Sequence, residues 1–269
     1  PIGYRLEPLS DGRLAARFEG SLPLSCGPKT FSVVSLSQNE HLERLFRWYW
    51  ERDGRTWAGH VAEGRVPEGA LKLAERESDA LPVVTTLVNK WSNNLIARHI
   101  FLTLGTLRNA PDEADSGSRT AGGAFAPMER PRPGVDTDDA RAVLAGWLAE
   151  KGVPDGAVMI DNGSGLSRTS RVTARAMTLA AGWLSPRMTE YAASLPVSGV
   201  DGTMRKRLEA TGRTHLKTGY LQDVRSIGGY VYAKNGRRYA LYASVHGERN
   251  MAGGIRFLDK VVEWTYLQK

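Results

Sequence analysis

Two short motifs hold the groups in this chain that could do chemistry. One is the Ser-x-Asn of Ser92 and Asn94, within Lys90-Trp91-Ser92-Asn93-Asn94. The other is Lys217-Thr218-Gly219, within His215-Leu216-Lys217-Thr218-Gly219-Tyr220-Leu221. A hydroxyl, a carboxamide and an ammonium are groups that serine acyl transfer gathers around a nucleophile activated by a neighbouring base. The nucleophile itself is not among them. No serine in the 269 residues is followed three positions later by a lysine, so the chain carries no Ser-x-x-Lys pair.

Either motif alone is weak. Lys-Thr-Gly reads by default as an exposed basic strand ending in a turn. Its chemical reading is that Gly219 lets a ligand approach the backbone closely, at a strand edge able to pair with an extended peptide. Ser-x-Asn reads by default as a helix cap or an Asx turn, since both residues suit either. Apolar helical segments on both sides, with Lys90 two positions upstream, strengthen it. Two other signals are discounted. Asn162-Gly163-Ser164-Gly165 is no nucleophile elbow, because Asn162 stands where a glycine is required, and it lacks the third glycine of a dinucleotide fingerprint. It reads as a tight turn. The five histidines make no metal-ligand spacing and Cys26 is the single cysteine. No metal, no cofactor and no internal disulfide are expected.

The elements that must position these groups follow from periodicity and turn signals. Residues 4–35 read as strand-rich, Asn39–Glu51 as a helix ending near Asp53-Gly54, and Thr56–Arg65 as a short strand pair. Ser92 falls on an interruption, near Trp91–Asn94, of a helical stretch over 80–104. The later part of that stretch presents Leu95, Ile96, Ile100, Phe101 and Leu104 as a core-like face. Residues 108–137 are rich in Pro, Gly, Ser and acids, which predicts a mobile, exposed loop. A helix follows from Asp138 to about Lys151, with Asp136, Thr137 or Asp138 as its cap, then a short strand at Val158–Ile160 and a helix over Thr173–Ala181. Lys217 lies on a strand over 213–220. A second strand over 226–233, a hairpin signal at Lys234-Asn235-Gly236-Arg237, a third strand at Arg238–Val245 and a helix over Gly254–Tyr266 complete the edge of an antiparallel sheet packed by a helix.

Composition is ordinary for a globular protein, with 41% hydrophobic and 24% charged residues. The length suffices for one large domain or two small ones. No run of eighteen apolar residues offers a membrane span. Lys and Arg number 36 against 29 Asp and Glu, a net +7. The basic residues are interleaved with acids along the chain, so a mixed surface is favoured over a nucleic-acid site. The sequence opens Pro1-Ile2-Gly3-Tyr4, with neither initiator Met nor signal pattern, and reads as the interior of a longer protein.

Four blocks, taken in order, carry a resemblance. They are Asn89–Ala97, Asp161–Arg168, Leu195–Met204, and His215–Gly219 with Gly228-Gly229-Tyr230-Val231. Together they resemble the low-molecular-mass class C penicillin-binding proteins, the D-alanyl-D-alanine carboxypeptidase/endopeptidases of the penicillin-binding protein 4 (DacB) type. The resemblance implies an α/β (α+β) fold of the penicillin-binding-protein/serine β-lactamase kind, an antiparallel sheet packed by helices, without its N-terminal part. Residues 1–30 would be tail strands of an inserted accessory domain. Residues 31–269 would be the transpeptidase-like domain, with the loop at about 108–137.

The resemblance also implies roles. A serine of the Ser-x-x-Lys segment, outside these residues, attacks the D-Ala-D-Ala carbonyl to give an acyl-enzyme. Catalytic roles fall to Ser92, relaying a proton to the leaving amine, and to Lys217. Asn94 holds the penultimate amide, and Lys217 and Thr218 meet the substrate carboxylate. Gly219 allows close approach, and the Tyr220 N–H forms half of the oxyanion hole. Partners would be peptidoglycan D-Ala-D-Ala peptides and β-lactams, in the periplasm or another extracytoplasmic space. Without its nucleophile the chain alone should be inert. A serine β-lactamase or esterase of the same fold is one alternative, ill suited to the Asp161–Arg168 and Leu195–Met204 blocks. A non-catalytic module binding glycan or nucleic acid is another, suited to the charge and the missing nucleophile.

Overall fold

The computed structural model describes residues 2–10, 13–28, 34–107, 135–184, 189–208, 212–247 and 251–269. Most of the expected loop, residues 108–134, lies outside them. The chain divides into two compact units, Pro1–Arg76 and Glu77–Lys269.

In the first unit β1 (Ile2–Pro8) and β2 (Leu14–Gly20) form an antiparallel hairpin, with Ile2 opposite Gly20. A 3₁₀ turn at Leu24–Cys26 follows. Helix α1 (Gln38–Glu51) opens with a capping box, in which the Ser37 hydroxyl accepts the Glu40 N–H and the Glu40 carboxylate accepts the Ser37 N–H. The strand pair expected across Thr56–Arg65 does not form. Side chains of α1 satisfy that backbone instead: Arg47 donates to the carbonyls of Trp57 (2.6 Å) and Gly59 (3.3 Å), and Glu43 accepts the Val61 N–H (3.0 Å). Alternating polarity fits such a tethered extended run as well as a strand.

The second unit holds α2 (Leu81–Trp91), α3 (Asn94–Gly105), α4 (Thr137–Glu150), the short pair β3 (Val158–Met159) and β4 (Arg171–Val172), α5 (Ala174–Leu184), α6 (Thr189–Ser194) and a 3₁₀ turn at Gly202–Met204. It closes with β5 (Thr214–Tyr220), β6 (Val224–Tyr232), β7 (Arg238–His246) and α7 (Met251–Tyr266). Asp136 caps α4 by accepting the N–H groups of Asp138 and Asp139. Among the described residues no helix is long and apolar enough to cross a membrane.

The antiparallel sheet has the order β5-β6-β7, and the period of two along β6 gives it two buried faces. Ile227 and Val231 pack with Leu216 of β5, Met204 of the 3₁₀ turn, and Leu258 and Val262 of α7. Tyr230 points the other way, against Ala192 and Leu195, and its hydroxyl donates to the Ala181 carbonyl (2.8 Å). Burial, reinforced by neighbouring Tyr191, pushes the Tyr230 hydroxyl up to about 12, so it stays a donor. On α3 the expected apolar face is only partly internal: Phe101 is buried, but Leu95, in the first turn, is 67% exposed.

Ile227 is fully buried at the centre of the sheet, so Ile227→Ala should cost about 2–5 kcal/mol in urea denaturation. Leu95→Ala, measured alongside, should stay within about 0.5 kcal/mol of the unaltered chain.

Candidate active site

Helix α2 stops because Ser92 turns left-handed, with φ 54° and ψ 46°, while its N–H still reaches the Val88 carbonyl. Asn93 then opens α3, its side-chain oxygen accepting the Ile96 N–H at 3.0 Å. The two helices are therefore joined by two residues, each spoken for by a cap. A non-glycine residue at positive φ costs on the order of 1–3 kcal/mol, and among the described residues only Ser92 and Leu208 adopt one. Such strain persists where the surroundings impose it. Here it aims the Ser92 hydroxyl at β5, where the Lys217 ammonium donates to it at 2.5 Å.

Lys217 lies opposite Gly228 in the sheet register and also donates to the Thr218 carbonyl (2.9 Å). Burial lowers its pKa below the ordinary lysine value. Beside the pair, the Asn94 amide donates to the Ser164 carbonyl (2.7 Å). This gives the turn at Asp161–Arg168 a place in the site. The turn is braced internally by the Asn162 oxygen accepting the Ser164 N–H, and an Arg168–Asp223 ion pair ties it to the β5–β6 connection.

The segment Leu195–Met204 wraps one edge of β5. Val197 bridges His215 and the Pro196 carbonyl accepts the Leu216 N–H (2.8 Å). Lys90, in the last turn of α2, holds this segment against the helix by donating to the Leu195 carbonyl and the Asp201 carboxylate, both at 2.7 Å. Burial disfavours the Asp201 anion, but hydrogen bonds from Lys90 and the Val197 N–H outweigh it and keep its pKa below the usual value. Gly202, at φ +52°, leaves no room for a side chain: a Cβ there would lie 2.7 Å from the Lys90 carbonyl.

Beyond Leu216 the edge of β5 has no strand partner among the described residues. The Leu216 N–H points outward to Pro196, so by alternation those of Thr218 and Tyr220 face the same open edge. The Thr218 hydroxyl donates to that of Thr203 (2.8 Å). A Cβ on Gly219 would strike the Ser226 hydroxyl across the ladder. The Tyr220 ring is exposed, with the Arg225 guanidinium 3.4 Å from its centroid.

Lys217, Thr218, Gly219 and Tyr220 thus lie on one strand edge that meets the helix junction at Ser92, while Asn94, at the start of α3, is bonded to the Ser164 turn. Sequence reasoning missed Lys90 and Asp201 as a pair, Thr203 and Ser164. Lys90 had a local signal, as the charged neighbour of Ser92, whereas Ser164, Asp201 and Thr203 were marked only by the blocks that carry the resemblance. Among the described residues no cluster of His, Cys, Asp or Glu is arranged to hold a metal ion.

The chain matches the sequence profile of the D-Ala-D-Ala carboxypeptidase 3 (S13) family over residues 10–126 and 125–264, and it belongs to that family. It is 30% identical over 231 residues to a D-alanyl-D-alanine carboxypeptidase of Actinomadura sp. (strain R39), covering 81% of this chain and 38% of that protein. Its fold is that of penicillin binding protein 4 (dacB) from Haemophilus influenzae, with a TM-score of 0.74 at 18% identity, over 99% of this chain and 57% of that one. The same Haemophilus protein complexed with a novel β-lactam gives a TM-score of 0.72 at 17% identity, over 99% and 60%. The chain spans between about two fifths and three fifths of the length of these relatives. The antiparallel sheet packed by helices, expected from the sequence, is the fold they share.

The lowered pKa of Lys217 has a consequence for stability. Between its folded and unfolded values the unfolded chain binds more protons at this site, so stability rises with pH toward the unfolded lysine value. Denaturation from pH 7 to pH 10 should therefore show the unaltered chain gaining stability relative to Lys217→Met. A constant difference between the two would remove the case for a desolvated ammonium.

Proposed function

We propose that this chain supplies the Ser-x-Asn and Lys-Thr-Gly side of a serine D-Ala-D-Ala carboxypeptidase/endopeptidase site that acts on peptidoglycan stem peptides and is acylated by β-lactams. The observation that carries the reading is the hydrogen bond between Lys217 and Ser92, side chains 125 positions apart brought together at an open strand edge. The names of the relatives support the substrate: one is a D-alanyl-D-alanine carboxypeptidase, and another is described with a β-lactam.

The nucleophile comes from a Ser-x-x-Lys segment that is not among these 269 residues. Its Oγ gives its proton to the lysine of that segment and bonds to the carbonyl carbon of the penultimate D-Ala, and the C–N bond to the terminal D-Ala breaks. The leaving amine takes a proton through Ser92, for which the lowered proton affinity of Lys217 is suited. Water then hydrolyses the acyl-enzyme. With its nitrogen held by Ser164, Asn94 offers its side-chain oxygen to the substrate's amide N–H. Lys217 and Thr218 meet the terminal carboxylate, Gly219 lets the peptide lie against the strand, and the outward Tyr220 N–H serves as one oxyanion donor. Residues 1–30 are the tail strands of an accessory domain, and 31–269 the transpeptidase-like domain. The site works outside the cytoplasm, where its substrate lies.

The 269-residue chain alone should form no covalent band with a fluorescent penicillin on a denaturing gel. Joined to a Ser-x-x-Lys segment in one polypeptide, it should be labelled. A hydrogen bond to a charged group contributes about 1.5–3 kcal/mol, so Lys217→Ala in that longer protein should slow acylation by about 10- to 100-fold. Ser92→Ala should slow turnover. Labelling of the 269 residues by themselves would sink the proposal, since it would demand a nucleophile of a different kind.

A further inference from the structure

We infer that Thr203 is a positioning residue for recognition of the ligand carboxylate, acting through Thr218 as the second hydroxyl of a two-member hydrogen-bond chain. The inference rests on the reading that Thr218 meets that carboxylate, and it assigns a specificity role to the otherwise unexplained turn at Gly202–Met204.

The hydroxyl of Thr203 is exposed to a ligand, yet its backbone is fixed on every side. Met204, the next residue, is fully buried in the core with Leu216 and Ile227. Gly202, the residue before, is pressed against the Lys90 carbonyl, and Asp201 is held by the Lys90 ammonium. The same segment is bonded to β5 through Pro196 and Leu216. Thr203 and Thr218 therefore approach as parts of one rigid frame, and their hydroxyls lie 2.8 Å apart with Thr218 donating.

A carboxylate accepts hydrogen bonds and donates none. When one reaches Thr218, the single hydroxyl proton of that residue must turn away from Thr203 toward it. Thr203 has a proton of its own and keeps the contact by donating back to the Thr218 oxygen. The pair survives with its direction reversed, and the chain from Thr203 to Thr218 to carboxylate is polarised toward the negative charge. A C-terminal amide offers the Thr218 proton only a neutral carbonyl oxygen, so the same polarised chain from Thr203 strengthens the charge-assisted bond to the acid more than the neutral bond to the amide. Thr203 thus favours a free carboxylate over its amide.

The test titrates N-acetyl-D-Ala-D-Ala and its C-terminal amide into the 269-residue chain, following backbone amide shifts by NMR. The unaltered chain should prefer the acid. Thr203→Val, similar in shape at an exposed position, should lower that preference by about three- to tenfold, and Thr203→Ser, which keeps the hydroxyl, should restore it. Thr218→Val should abolish the preference. If Thr203→Val leaves the preference intact while Thr218→Val removes it, the role of Thr203 is refuted and the reading of the site stands. If the unaltered chain shows no preference for the acid, or Thr218→Val leaves it unchanged, the reading of the site fails and the inference falls with it.

Discussion

A lysine ammonium taken out of water must recover its hydrogen bonds from the protein, and Lys90 recovers them from partners 105 and 111 positions away. The Leu195 carbonyl and the Asp201 carboxylate pull a chain segment against the last turn of α2. Because that segment also bonds along β5, the helix end and the strand are registered against each other by one side chain. Ser92 lies two residues from Lys90, and Lys217 one residue past the bonded Leu216. A charge removed from solvent without partners is costly, so the contact tolerates little slack, and its tightness passes to the site.

The site adds costs of its own. Ser92 holds a left-handed backbone, and burial disfavours the charged form of Lys217. The layered packing of Leu216, Ile227, Val231, Leu258 and Val262 offsets both. The division of labour follows the pleat of β5: Leu216 points into that core, and Lys217, on the opposite face, points at Ser92. A one-residue slip of register would exchange core and chemistry, which makes the second bonding edge, along Pro196 and Val197, as important to function as the first.

What the sequence disclosed and what it hid divide along the range of the interactions. The break at Trp91–Asn94 was readable because a Ser and two Asn interrupt an apolar period, and the three C-terminal strands because alternation and an Asn-Gly turn are local signals. The capping role of Asn93, the middle residue of Ser-x-Asn, has no local signal beyond its residue type. Thr56–Arg65 misled, since its backbone is satisfied by Arg47 and Glu43 on a helix and by no neighbouring strand. Lys90 with Asp201, Asn94 with Ser164, and Thr218 with Thr203 are pairs that nothing local announces. Each joins segments that only the folded sheet brings together, although the resemblance had already drawn their blocks into one list.

The junction between α2 and α3 is two residues long, and that brevity restricts what lengths the chain can take there. Each residue of an α-helix turns the next by about 100°. One residue inserted after Ser92 would leave that hydroxyl on Lys217 but swing Asn94 off the Ser164 carbonyl, together with the whole of α3. One residue deleted would merge two helices that now have separate caps. Substitutions at Asn93 that keep a capping group cost little by comparison. Variation in this protein at Trp91–Asn94 should therefore be variation of residue type at fixed length, with insertions confined to segments where no helix phase is at stake.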